Sequence, residues 1–140
     1  MPKQEGQPPF GDGELLYRRL VQKWIGVGDT VEPEAIEIPQ CSVDRGLLST
    51  AKEALDRGNT HEIAVASVRF HELPACFDAE APAKTYEIVV ASDPTASNSA
   101  HTHIETRQAG EPGARKPSAA AMKQRIRAEI AAALRVTLKR

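Results

Sequence analysis

Apolar residues fall along this chain in short runs separated by Pro, Gly, Asn and Asp, and only the last segment keeps a helical period over many turns. Residues 63–70 (IAVASVRF) and 86–92 (YEIVVAS) are short, rich in β-branched side chains and bounded by turn formers, so they predict strands. Residues 101–106 (HTHIET) predict a further strand, returning after the polar loop 93–100. In residues 31–39 acids alternate with apolar positions as Glu34-Ala35-Ile36-Glu37-Ile38, the period of a half-buried strand, and Pro33 and Pro39 place it at a sheet edge. Leu15, Leu16, Tyr17, Leu20, Val21, Trp24 and Ile25 follow at mixed spacing, which fits a helix and also a strand running into a turn. Residues 73–77 read as a turn with two apolar anchors.

Two helices are predicted. Thr50 and Glu53 form a T-x-x-E capping box before Ala51, Ala54 and Leu55, and Gly58 is placed to end a helix of about two turns. From Ser118 as N-cap, Met122, Ile126, Ile130, Leu134 and Leu138 recur in steps of four, which predicts an amphipathic helix of roughly five turns with Arg125, Arg135 and Lys139 on its far side. The chain then divides into a flexible tail (1–13), a body (14–105), a linker (106–117) and a basic helix (118–140). The expected fold class is α+β: a small, mainly antiparallel sheet with one short helix and a long amphipathic C-terminal helix.

Composition limits the core. Of 140 residues 21 are Ala, while Leu, Ile, Val and Phe together number 29, close to the level at which chains stop folding. No apolar run is long enough to span a membrane, and residues 1–9 lack the apolar core of a signal peptide, so a cytoplasmic protein without membrane partners is expected. The net charge of −1 hides an asymmetry. Residues 113–140 hold eight basic groups against Glu129 alone, and the remainder is acidic, which suits docking of the last segment on its own body or a basic surface for nucleic acid. Two cysteines, Cys41 and Cys76, do not make a disulfide framework, so both are expected to be reduced and buried.

Leu15-Leu16-Tyr17-Arg18-Arg19, Ser42-Val43-Asp44 before the short helix, and Asn98-Ser99-Ala100-His101 resemble a family of short, uncharacterised bacterial proteins over about residues 14–105. The resemblance implies a compact α+β module encoded as a small bacterial protein. It carries no catalytic role, since no activity is established for that family.

The densest polar cluster is His101-Thr102-His103 with Glu105. On a strand, His101, His103 and Glu105 share one face and offer two imidazoles and a carboxylate to a metal or a hydrolytic reaction. Too few further ligands lie near in sequence, so no metal and no cofactor are expected. His61-Glu62 and His71-Glu72 lack H-E-x-x-H spacing, and Cys41, Cys76, His71 and His101 have no C-x-x-C pair to support a zinc site. Neither Gly11-Asp12-Gly13 nor Gly26-Val27-Gly28 continues into a phosphate loop. The leading expectation is a non-enzymatic binding or regulatory subunit that meets another protein, or a second copy of itself, through Met122, Ile126, Ile130, Leu134, Arg125 and Arg135. The alternatives are a small metal-dependent or His-based hydrolase centred on His101 and His103, with Glu105, and a nucleic-acid accessory protein using the basic helix.

Overall fold

The computed structural model describes residues 8–80 and 83–140. Its elements, in chain order, are β1 (Leu15–Val21), β2 (Gln40–Arg45), α1 (Ala51–Asp56), β3 (Glu62–Arg69), β4 (Cys76–Glu80), β5 (Ala83–Ser92), β6 (His101–Gln108), α2 (Ala120–Ala133) and β7 (Arg135–Lys139). The strands form one antiparallel sheet in the order β4-β5-β6-β2-β1-β3-β7. This α+β arrangement holds seven strands, more than the small sheet expected.

The chemistry of β1 decides its ambiguous pattern. Its alternate residues Leu16 and Leu20 are fully buried among Val43, Ile104, Ile126 and Ile130 on the α2 side. On the opposite face Tyr17 packs with Ala54, Leu55 and Val65 beneath α1. Two-sided burial in the middle of a sheet suits a strand better than a helix of this composition. At α1 the predicted capping box is present in full: Thr50 Oγ1 accepts from the Glu53 N–H at 3.1 Å, and Glu53 Oε1 accepts from the Thr50 N–H at 2.9 Å. The strands expected near 63–70, 86–92 and 101–106 are β3, β5 and β6, the last running on through Thr106, Arg107 and Gln108 of the presumed linker.

Four local expectations are corrected. Residues 31–39 form no strand: Val31 makes one isolated bridge to Ile25, and Pro33–Ala35 form a 3-10 turn. Arg18 draws the Ala35 carbonyl inward, donating from Nε at 3.0 Å and from one terminal nitrogen at 2.8 Å, so Ala35 and Ile36 are buried instead of alternating along an edge. The segment of residues 73–77 includes the start of β4, and Phe77 is buried.

The C-terminal helix is shorter than predicted. Ala119, not Ser118, is its N-cap, and the chain turns extended at Leu134, leaving 14 residues in α2. Residues 135–139 pair instead with Ala64, Val65, Ala66 and Ser67 of β3. The reason is local and tertiary together: Val136 and Thr137 are β-branched, and the outer backbone groups of β3 need a partner.

The tail, too, is ordered within the described residues. Arg45 is completely buried, and its guanidinium donates to both Glu14 carboxylate oxygens at 2.8 Å, to the Pro8 carbonyl at 2.8 Å, to the Pro9 carbonyl at 3.2 Å and to Ser92 Oγ at 3.4 Å. Phe10 lies over the same cation, 4.0 Å from ring centroid to guanidinium carbon, and stacks on Phe70. A buried cation with five N–H donors must be met by acceptors, and the segment before β1 supplies them. The part of the expected tail before Pro8 lies outside the described residues.

Candidate functional site

Strand register divides the sheet into unlike faces. One face carries the main core, including Leu16, Val43, Ile104 and α2. The other is covered by α1 only over β1 and β3, where Tyr17 and Val65 meet Ala54 and Leu55. Its remaining half, over β2, β6 and β5, is where the polar cluster stands. His103 pairs with Ser42 of β2 and Ala91 of β5, His101 with Asp44, and Glu105 with Gln40 and Val89, so these residues share that face.

The expected His101 and His103 do come together, with ring centroids 4.8 Å apart and planes nearly perpendicular. The fold adds a residue from the presumed loop. Asp93 follows β5 and donates its backbone N–H to the His101 carbonyl at 2.9 Å, which continues the strand pairing by one residue. Its carboxylate Oδ2 lies 3.7 Å from Nδ1 of His101 and 3.7 Å from Nδ1 of His103. One ligand atom from each of the three residues lies within 4.8 Å of the others, the geometry of a potential metal group. The His101 Nδ1 also faces the Asp93 carbonyl at 2.8 Å, and Nε2 faces Ser42 Oγ at 3.3 Å. A carbonyl only accepts, so the first contact puts the proton on Nδ1 and leaves Nε2 to accept from the serine hydroxyl. All three side chains are partly exposed.

Glu105, the third expected residue, stands beside this group and is otherwise engaged. Its Oε1 accepts from Gln40 at 3.0 Å, its Oε2 accepts from Arg107 at 2.9 and 2.7 Å, and Oε1 is 4.0 Å from His103 Nδ1. It is therefore a neutralised carboxylate that borders His103.

A buried anion holds the loop that delivers His101. Asp44 is fully buried; its Oδ2 accepts from Arg19 at 2.9 Å and from Arg57 at 3.0 Å, while Oδ1 accepts from the Asn98 amide at 2.8 Å. Asn98 in turn accepts the Ala100 N–H at 3.0 Å. Three segments far apart in sequence thus meet at one point, through Arg19, Asp44 and Asn98. No protein-family model, no curated protein and no solved structure matches the chain.

The other expected constellations are not assembled. Cys41 points to the core face, opposite His101, and burial pushes its thiol pKa up. Cys76 is exposed, against the expectation that both thiols are covered. His71 Nδ1 contacts the Asp12 carbonyl at 2.7 Å and has no role at the cluster.

The stripe expected to meet protein lies inside the chain. Met122, Ile126, Ile130 and Leu134 are buried in the chain's own core, at 9, 0, 1 and 1 % exposure, which leaves none of them as a free surface. Arg125 pairs with Glu129 at 2.9 Å and lies over Phe77, and Arg135 donates to the Ala132 and Leu134 carbonyls at the end of α2. Much of the basic excess is matched internally in this way: Lys139 pairs with Asp29, and Arg140 donates to the Leu55 carbonyl. Among the described residues no helix is long and apolar enough to cross a membrane.

Sequence reasoning missed Asp93 and Ser42. The signal for Asp93 was present only as the residue ending a β-branched run before Pro94, and its place beside His101 depends on the register of β5 against β6.

Proposed function

We propose that the chain is a small metal-dependent hydrolytic protein that holds one divalent transition-metal ion between Asp93, His101 and His103. The observation supporting this reading is the arrival of Asp93 Oδ2 at 3.7 Å from both imidazoles, which turns a two-histidine strand motif into a three-ligand set. Two imidazoles and one carboxylate suit zinc or ferrous iron better than magnesium or calcium. Ligand atoms around a tetrahedral zinc lie about 3.3 Å apart, whereas the three ligand atoms here span up to 4.8 Å, so holding an ion would require the imidazoles to close by about an ångström or more as well as smaller shifts at Asp93. Binding through His101 Nδ1 would require that nitrogen to give up the proton it shares with the Asp93 carbonyl.

Asp93, His101 and His103 would hold such an ion at the open half of the sheet, where it would supply Lewis-acid activation of water. Glu105, fixed by Gln40 and Arg107, borders the group with its Oε1 4.0 Å from His103 Nδ1.

The test uses full-length protein purified without a histidine tag. Elemental analysis and zinc titration should give one ion per chain. Asp93→Asn and His103→Ala should each lose it while the metal-free melting temperature stays within a few degrees of wild type. Hydrolysis of activated esters and phosphodiesters should follow zinc occupancy. A wild-type chain that takes up no stoichiometric zinc, iron or manganese refutes the proposal.

A further inference from the structure

A second feature lies away from the histidines. The segment leading into β1, held down by Arg45, stands over a cavity of about 450 Å3 walled by Pro8, Pro9, Leu15 and Leu47 and lined also by Tyr17 and Arg69. That volume falls in the range of small-molecule sites. One covered polar group there lacks a partner among the described residues, and an exposed cation stands beside it. Tyr17 is 9 % exposed, with its ring packed among Ala54, Leu55 and Val65, yet its hydroxyl has no hydrogen-bond partner among the described residues. A covered phenol without an acceptor is unfavourable, and native proteins leave few such groups. Arg69 donates one N–H to the Gly13 carbonyl at 2.7 Å and has no ion-pair partner among the described residues. Among the described residues the only carboxylate lining the cavity, Glu14, is bound to Arg45 through both oxygens, so the charge there without an ion-pair partner is that of the exposed Arg69.

We propose that this cavity binds a small apolar carboxylate, its anionic oxygens accepting from the Tyr17 hydroxyl and the Arg69 guanidinium and its hydrocarbon part lying against Leu15, Leu47 and the prolines. A carboxylate fits both donors at once. The single cation and the apolar walls disfavour polyanions such as nucleotides. None of these residues belongs to the Asp93–His101–His103 group, so this site stands or falls independently of the metal.

Full-length protein labelled with 15N is titrated with benzoate and, in parallel, with benzyl alcohol. Benzoate should give saturable amide shifts centred on Gly13, Gly46 and Leu47, and benzyl alcohol should bind at least about tenfold more weakly, since a hydrogen bond to a charged group is worth about tenfold to a hundredfold. Tyr17→Phe should weaken benzoate about tenfold or more without lowering the melting temperature, because the hydroxyl has no protein partner to lose. Arg69→Met should erase the preference for the acid over the alcohol, and Leu47→Trp, at an exposed position on the rim, should block the site without unfolding the chain. The proposal is overturned by absence of saturable shifts, by equal affinity for acid and alcohol, or by wild-type benzoate affinity in a folded Tyr17→Phe protein.

Discussion

Truncating Ile126 to alanine tests whether α2 completes this chain's own core. Ile126 is 0 % exposed and shares a cluster with Leu16, Ile36, Val43 and Ile104. The substitution removes three carbons, about 2.4 kcal/mol at about 0.8 kcal/mol per buried methylene. The cavity left behind adds about 1 kcal/mol or more, because close-packed surroundings relax only in part. A loss of about 3–4 kcal/mol is expected, or about 10 °C in melting temperature for a domain of this size. The control is Arg125→Ala, half exposed, paired with Glu129 across one turn and lying over Phe77, which should cost about 1 kcal/mol. Both variants are measured by urea unfolding at protein concentrations spanning a hundredfold. If the stripe is buried within one chain, midpoints are independent of concentration; if another copy covers it, they rise with concentration. A loss below about 1 kcal/mol, or a concentration-dependent midpoint, would show that the helix does not pack as described.

Two further outcomes follow from the buried charge and the thiols. Burial raises the Glu14 pKa, but the hydrogen bonds from Arg45 and the Leu47 N–H outweigh it and hold the carboxyl below its ordinary value of 4.5. A carboxylate depressed in the folded state stabilises above its unfolded pKa, and that contribution is lost as pH falls through the folded value. Stability should therefore decline below about pH 4.5, and Glu14→Gln should flatten this part of the profile and be less stable than wild type at pH 7; parallel acid profiles from urea unfolding would expose an error. In native protein a maleimide should modify the exposed Cys76 at a rate near that of a free thiol and Cys41 only on unfolding. Equal native rates at the two cysteines would contradict the placement of Cys41.

What the sequence determined by itself is what neighbours a few residues apart can decide. The Thr50–Glu53 cap is complete within four residues, and the β-branched runs of β3, β5 and the histidine strand β6 are extended because side-chain crowding favours it locally. The shared face of His101, His103 and Glu105 follows from strand alternation alone. Tertiary structure decided the rest, wherever two local outcomes were close in energy or partners stood far apart in sequence. Leu15–Val21 became a strand because both its faces are covered. Arg135–Lys139 left the helical period because β3 offered an open edge. Residues 31–39 lost their alternation to the guanidinium of Arg18, and the segment before β1 gained order from that of Arg45. Asp93 reached the histidines only through the pairing of β5 with β6. Each of these rests on a register or a buried charge satisfied across many residues, and a one-residue slip would carry the side chain to the opposite face.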